Sequence, residues 1–186
     1  MGACSQPFKC TVAALLVAVW FSVPVHAQES AVDRIFDELA EGVPEDFSRL
    51  QSELMAEWSK SGSATVDLLV QRGQEAIGVG DYVLAVEHFT AAIDHDPAFA
   101  EAYNGRATAY FYLNQFGPAI DDIRETLVLN PRHFGAMMGF AAILEQLERP
   151  DEALEVYHQI KGLVPAAPNV QEAIDNLELQ VNGRTL

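Results

Sequence analysis

The chain has 186 residues and 49% hydrophobic side chains, enough for one domain of ordinary size with its own core. Asp and Glu outnumber Lys and Arg 27 to 11, for a formal charge of -16. That balance excludes binding to nucleic acid and electrostatic adhesion to an anionic membrane, both of which need clustered cations, and it favours neutral or basic partners.

The first predicted element is a secretory signal over residues 1–27. Lys9 and the free amine make a short positive start, and Val12 to Val23 is almost uninterrupted apolar sequence. Val25-His26-Ala27 places small residues where signal peptidase reads, so cleavage is expected between Ala27 and Gln28. The apolar run is shorter than the roughly 20 residues of a comfortable membrane span; an uncleaved anchor is the alternative reading. Cys4 and Cys10 both lie in this segment. The mature chain is therefore expected to hold no disulfide, thiolate metal site or cysteine nucleophile. Removing Lys9, the only charged side chain lost, takes the charge from -16 to -17. A short signal joined to a cysteine-free chain points to a Gram-negative periplasm, with no membrane span after cleavage.

Residues 28–63 form an N-terminal helical extension in this reading. Val32, Ile35, Phe36 and Leu39 share one helical face, Ser30 is placed to cap it and Gly42 to end it. Pro44 opens a second helix, where Phe47, Leu50, Leu54 and Trp58 make an apolar stripe. Two amphipathic helices need a surface. They are expected to cap the first repeat described below; the alternative is a docking or dimerisation arm anchored by Trp58, which leaves a homo-oligomer open.

From residue 64 to 165 the sequence repeats. Pro97, Pro131 and Pro165 are spaced 34 apart, as are Ala85, Ala119 and Ala153; Phe89, Ile123 and Tyr157; and Gly73, Ala107 and Ala141. Such a period marks stacked supersecondary units. Each unit reads as two helices: 67–79 and 82–95, then 101–113 and 116–129, then 134–147 and 150–163. Asp81 is a natural cap, and Asp96-Pro97, Asn130-Pro131 and Val164-Pro165 end the second helices because a residue before proline avoids the α region. A last helix over about 169–181 carries Val170, Ala173, Ile174 and Leu177 on one face and closes the stack. Small residues in register allow the two helices of a unit to approach closely, and the larger series fills the gap toward the next unit.

These series resemble the tetratricopeptide-repeat (TPR) family over residues 66–165. Leu69, Tyr103 and Met137 fill the family's early large position, Gly73, Ala107 and Ala141 its small one, and Ala76, Tyr110 and Leu144 its next aromatic place. Departures are Tyr or Leu for Trp and Arg72 and Arg106 in place of Leu. The resemblance implies an all-α solenoid of three helix-turn-helix repeats (66–99, 100–133 and 134–165), with residues 166–186 as a C-terminal capping helix and tail.

It also implies a concave groove lined by the first helices. By helical phase that face holds Asp67, Val70, Gln71 and Gln74; Glu101, Asn104, Thr108, Phe111 and Tyr112; and Gly135, Met138, Ala142 and Glu145. The candidate peptide-binding residues are Val70, Gln71, Gln74, Asn104, Thr108, Phe111, Tyr112 and Met138. Phe111 and Tyr112 alternatively pack against neighbouring helices. The family's best-known clamp grips a C-terminal carboxylate with Lys, Arg and Asn; the matching places are Val70, Gln74, Gly105, Gly135 and Gly139, none basic. An apolar-anchored peptide is the expected partner rather than a carboxylate-tailed one. Arg72 and Arg106 are expected to form structural ion pairs with Asp94, Asp121 or Asp122.

No catalytic constellation is legible. His88, His95, His133 and His158 have no helical metal-pair spacing, and no phosphate-binding or nucleophile-elbow motif occurs. The expectation is a non-enzymatic exported adaptor or scaffold with no metal or cofactor, acting in cell-envelope assembly, or else a self-associating module or non-catalytic subunit of an envelope complex.

Overall fold

The computed structural model describes residues 30–184; the signal segment, with its expected cleavage pair Ala27 and Gln28, lies outside the described residues. Among the described residues there are nine helices and no strand. They are α1 (Ala31–Ala40), α2 (Pro44–Trp58), α3 (Ala64–Gly78), α4 (Tyr82–His95), α5 (Ala100–Tyr112), α6 (Phe116–Leu129), α7 (Phe134–Gln146), α8 (Pro150–Leu163) and α9 (Val170–Arg184). The pairs α3–α4, α5–α6 and α7–α8 pack as hairpins, each in contact with the next, and α9 packs on α8.

The hairpin turns share one construction. Gly80, Asn114 and Glu148, each 34 residues from the next, all take positive φ, at 79°, 57° and 56°. The following amides donate back to the preceding helix, Asp81 N to Ala76 O, Gln115 N to Tyr110 O and Arg149 N to Leu144 O, each at 2.9 Å. This pattern satisfies carbonyls that would otherwise end the helix unpaired, and it needs a left-handed residue at one place. Glycine and asparagine adopt that conformation readily; Glu148 does not. The connections between units rest on the residues before proline. Asp96 is extended, Asn130 and Val164 leave the helical region with nearly the same φ, and the Asp96 and Asn130 side chains accept from Ala98 N and Arg132 N.

Phe89 explains the packing of the first two units. It is fully buried and lies between two glycines on neighbouring first helices. A Cβ at Gly73 would fall 2.7 Å from the ring, and one at Gly105 2.3 Å. The ring therefore occupies the space that two missing side chains leave. Arg106 ties α5 to its neighbours: its guanidinium donates twice to Asp122 at 2.7 Å and once to Thr90 at 3.1 Å. One of the two expected ion pairs is thus formed, and the bond to Asp122 raises the Arg106 pKa. Arg72 is exposed and makes no ion pair among the described residues.

The N-terminal helices depart from expectation. Their caps and faces are as read, with Ser30 accepting from Asp33 N and with Ile35, Phe36, Leu39, Phe47, Leu50 and Leu54 buried. They pack, however, on the third unit instead of capping the first, in one apolar cluster that the last helix joins by packing on α8. Trp58 stacks on His133 at 4.5 Å and meets Phe134 at 6.1 Å, as does Phe47 at 6.2 Å. Arg132 bridges the two parts, bonding Asp33 at 2.6 Å and lying 4.4 Å from the Phe36 ring. At the α1–α2 turn Gly42, with φ of 70°, faces Pro165 so closely that a Cβ would touch it.

The run Arg132-His133-Phe134 supplies this surface; its counterparts one unit earlier are Ala98, Phe99 and Ala100, so the cation and the second large side chain are missing there. Arg132, His133 and Phe134 meet Phe36 and Trp58 of the N-terminal helices. Both Phe47 and Trp58, eleven residues apart on α2, reach Phe134, and residues 59–63 then lead to the start of α3.

Candidate functional site

The first helices α3, α5 and α7 are neighbours and build one face. Between α5 and α7 lies a pocket of about 110 Å³. Its α5 wall is Asn104, Ala107, Thr108, Phe111 and Tyr112; Ile123 of α6 closes the back; Gly135, Ala136, Gly139, Ala142 and Ile143 of α7 form the other side. Four of the eight candidate residues, Asn104, Thr108, Phe111 and Tyr112, therefore meet at one place.

The repeat itself explains the pocket. Ile123 occupies the position of Phe89 one unit later, and Gly139 the position of Gly105. Ile123 is too short to fill the room that Gly139 leaves: a Cβ there would sit 3.8 Å from its Cδ1, an ordinary contact, against 2.3 Å in the filled counterpart. A phenylalanine could not be substituted simply, because Ala107 stands where Gly73 makes room for the Phe89 ring. The void is thus a consequence of two residue choices in register.

The rim is aromatic. Tyr112 is 50% exposed, stacks on Tyr82 at 4.7 Å and meets Phe111 edge-on at 5.7 Å. Phe111 in turn lies 5.9 Å from Phe116. Both sequence alternatives hold together: the rings pack on one another and also line the pocket. Thr108 donates its hydroxyl to the Asn104 carbonyl at 2.9 Å. The Asn104 side chain makes no hydrogen bond among the described residues, so its amide is open to a ligand.

The other candidates lie elsewhere. Gln71 and Gln74 are exposed on α3 and line a separate, more open depression with Asp67 and Lys60. Val70 is in its floor but only 5% exposed, part of the core against α4 and α5. Met138 is half-buried and packs with the third-unit cluster instead of lining the pocket. Glu101 and Glu145 have internal partners. Glu101 bonds His133 Nε2 at 2.7 Å, and His133 Nδ1 accepts from Ala136 N at 3.0 Å, so Nε2 carries the proton and donates. Glu145 accepts from the Tyr157 hydroxyl at 2.7 Å, and burial, then this bond, push the Tyr157 phenol above its ordinary pKa.

Sequence reasoning missed most of the pocket's inner wall, Ala107, Ile123, Ala136 and Ile143, and named Gly139 only as a clamp position without a cation. The signal was present in the 34-residue register, where Phe89 changes to Ile123 while the glycine opposite is kept. None of the five places where the family's carboxylate clamp would put its side chains holds a cation, and at Gly105 the space is taken by Phe89. Among the described residues no three potential metal ligands come together, and no helix is long and apolar enough to cross a membrane.

A tetratricopeptide-repeat family profile matches residues 70–113 and 104–168. A TPR repeat-containing protein of Rhizobium etli is 32% identical over 180 residues, covering 96% of this chain and 88% of that one. Hsp70-Hsp90 organizing protein 1 of Glycine max is 30% identical over 107 residues, which are 58% of this chain but 18% of its own length. Small glutamine-rich tetratricopeptide repeat-containing protein 2 of Saccharomyces cerevisiae is 31% identical over 99 residues, 52% of this chain and 28% of its own. This chain thus spans nearly all of the bacterial relative and under a third of these eukaryotic ones. Among solved structures, the first TPR of Spaghetti (RPAP3), bound to the HSP90 peptide SRMEEVD, superposes with a TM-score of 0.61 at 24% identity, covering 64% of this chain and 98% of that one. MamA superposes with a TM-score of 0.60 at 19% identity, covering 83% and 85%. The repeat register, the stacked hairpins and these matches agree: the chain belongs to the tetratricopeptide-repeat family.

Proposed function

We propose that the chain is an exported, non-catalytic adaptor that holds a segment of a partner protein against the α3–α5–α7 face. The pocket between α5 and α7 carries the reading, because it is open, formed by residues on rigid helices and edged by an unengaged amide and an exposed ring. The RPAP3 domain with its HSP90 peptide, and a yeast Sti1 TPR2B domain in complex with an Hsp70 peptide, lend it support as relatives in fold. Their ligands do not transfer, since this face offers no cation at the clamp positions. Export and a periplasmic location rest on the pattern of residues 1–27, with cleavage between Ala27 and Gln28. A free docking arm is disfavoured, because Trp58 and the α2 stripe are engaged within their own chain.

Photo-crosslinking in cells tests the reading. A photoreactive residue replaces Tyr112, and a control replaces Glu87, exposed on the second helix α4. A discrete adduct from position 112 alone is expected, with mass spectrometry naming the partner and showing a mature N-terminus at Gln28. Equal adducts at both positions, or none, would remove the groove as the binding surface. An N-terminus at Met1 would remove the cleaved signal.

A further inference from the structure

We infer that the α5–α7 pocket is an anchor site for one branched aliphatic side chain, of leucine or isoleucine size, carried by an extended segment rich in lysine or arginine. The inference rests on the groove reading above and specifies the ligand.

Size sets the anchor. A dry cavity of about 150 Å³ admits benzene. The pocket, at about 110 Å³, suits a four-carbon side chain better than an aromatic ring. Its depth is apolar, walled by Ala107, Ile123 and Ile143, so a polar side chain would lose its water without a partner. The rim differs: Asn104 has an open amide, and the Thr108 oxygen still has acceptor capacity, which suits the backbone of an extended segment lying across the mouth. The pocket is preformed, since its walls belong to three helices and its vacancy comes from Ile123 and Gly139. Binding there costs little reordering.

Charge sets the flanks. The three first helices carry Asp67, Glu75, Glu101 and Glu145 against Arg72 and Arg106. Arg106 is neutralised by Asp122, which leaves Arg72 as the one cation of these helices without a carboxylate partner. With -16 on the whole chain, the field over this face repels an acidic peptide and attracts a basic one. A second copy of this chain, equally acidic, is disfavoured for the same reason.

Random nine-residue peptide display on the purified protein, expressed as the full chain, identifies ligands, and fluorescence anisotropy measures them. Two variants obstruct the pocket: G139L from its wall, and A142L, whose site is half-exposed and tolerant if G139L unfolds. Enriched peptides should share one Leu or Ile and several Lys or Arg. Binding should weaken about ten- to hundredfold with either variant or with the anchor changed to alanine. Replacing the flanking cations by glutamate should abolish binding, and salt should weaken it. The acidic peptide SRMEEVD should not bind. Enriched peptides that lack the aliphatic residue or the cations, or that bind both variants as well as the wild type, would overturn this inference. If such peptides still protect position 112 from crosslinking, the groove reading survives. No enrichment, together with no adduct at 112, would remove both.

Discussion

Replacing Gly105 with alanine tests the account of how the first two units pack. Alanine normally stabilises a helix interior by about 1 kcal/mol over glycine. Here the new Cβ would lie 2.3 Å from Phe89 Cε1 and 2.4 Å from Cζ. The ring cannot step aside, because the backbone at Gly73 stands on its other side at a spacing that already admits no Cβ. Overpacking a core costs about 1–3 kcal/mol, and this overlap belongs at the upper end. The net loss should be about 2 kcal/mol, which lowers the melting temperature by roughly 4–8 °C in a protein of this size. Gly139 supplies the matched control. Its Cβ would meet Ile123 at 3.8 Å, so G139A keeps the helix gain and should raise the melting temperature by about 2–4 °C. Circular dichroism melts of both variants, with a double variant G105A/F89I, measure the difference and its origin. The double variant should be more stable than the two single losses sum to, since the shorter side chain leaves room for the new methyl. A G105A protein as stable as wild type, or a G139A protein that loses as much, would refute the reasoning.

Three further outcomes follow from other contacts. D122A leaves the Arg106 guanidinium, 18% exposed, without its bidentate partner; it should cost about 2–3 kcal/mol in urea unfolding, discounted from a fully buried pair for its partial access to water. R132A removes both the Asp33 bond and the contact with the Phe36 ring, so α1–α2 should loosen; emission of Trp58, the only tryptophan after residue 20, should shift to the red. Tyr157 has a folded-state pKa raised above its ordinary 10.0, so the protein favours the neutral phenol. That stability is fully present below pH 10 and is lost as pH rises above it; Y157F should reduce this alkaline loss, the remainder coming from Tyr103, whose phenol burial also pushes up, while a wild-type stability flat from pH 9 to 11 would contradict it.

Much of the fold was legible because it is written in register. Helices α4, α6 and α8 begin and end where Asp81, the prolines and the 34-residue spacing put them, since caps and pre-proline residues act within a few positions of themselves. Both ends of α3 and α5 and the C-terminal end of α7 differ by one to three residues; the start of α3 is marked by Ser63, whose side chain accepts from Val66 N. The amphipathic stripes of α1 and α2 were equally plain, and so was the need for a surface to cover them.

Which surface, however, is not a local property. The stripe of α2 fits any apolar face, and the choice of Arg132, His133 and Phe134 over the first unit depends on large side chains 74 or more residues away from Trp58 in sequence. Helical phase grouped Asn104, Thr108, Phe111 and Tyr112 correctly, but it could not separate Val70, sunk in the core, from Gln71 and Gln74 beside it, nor turn Met138 toward the third-unit cluster. The pocket arises from the difference between a filled junction and an unfilled one, Phe89 between two glycines against Ile123 beside Gly139, and its volume exists only once those helices are packed. The sequence by itself determined periodicity, caps and composition, because those act through nearest neighbours along the chain; the tertiary structure decided the docking of α1–α2 and the position of the pocket, because those depend on which side chains meet across space.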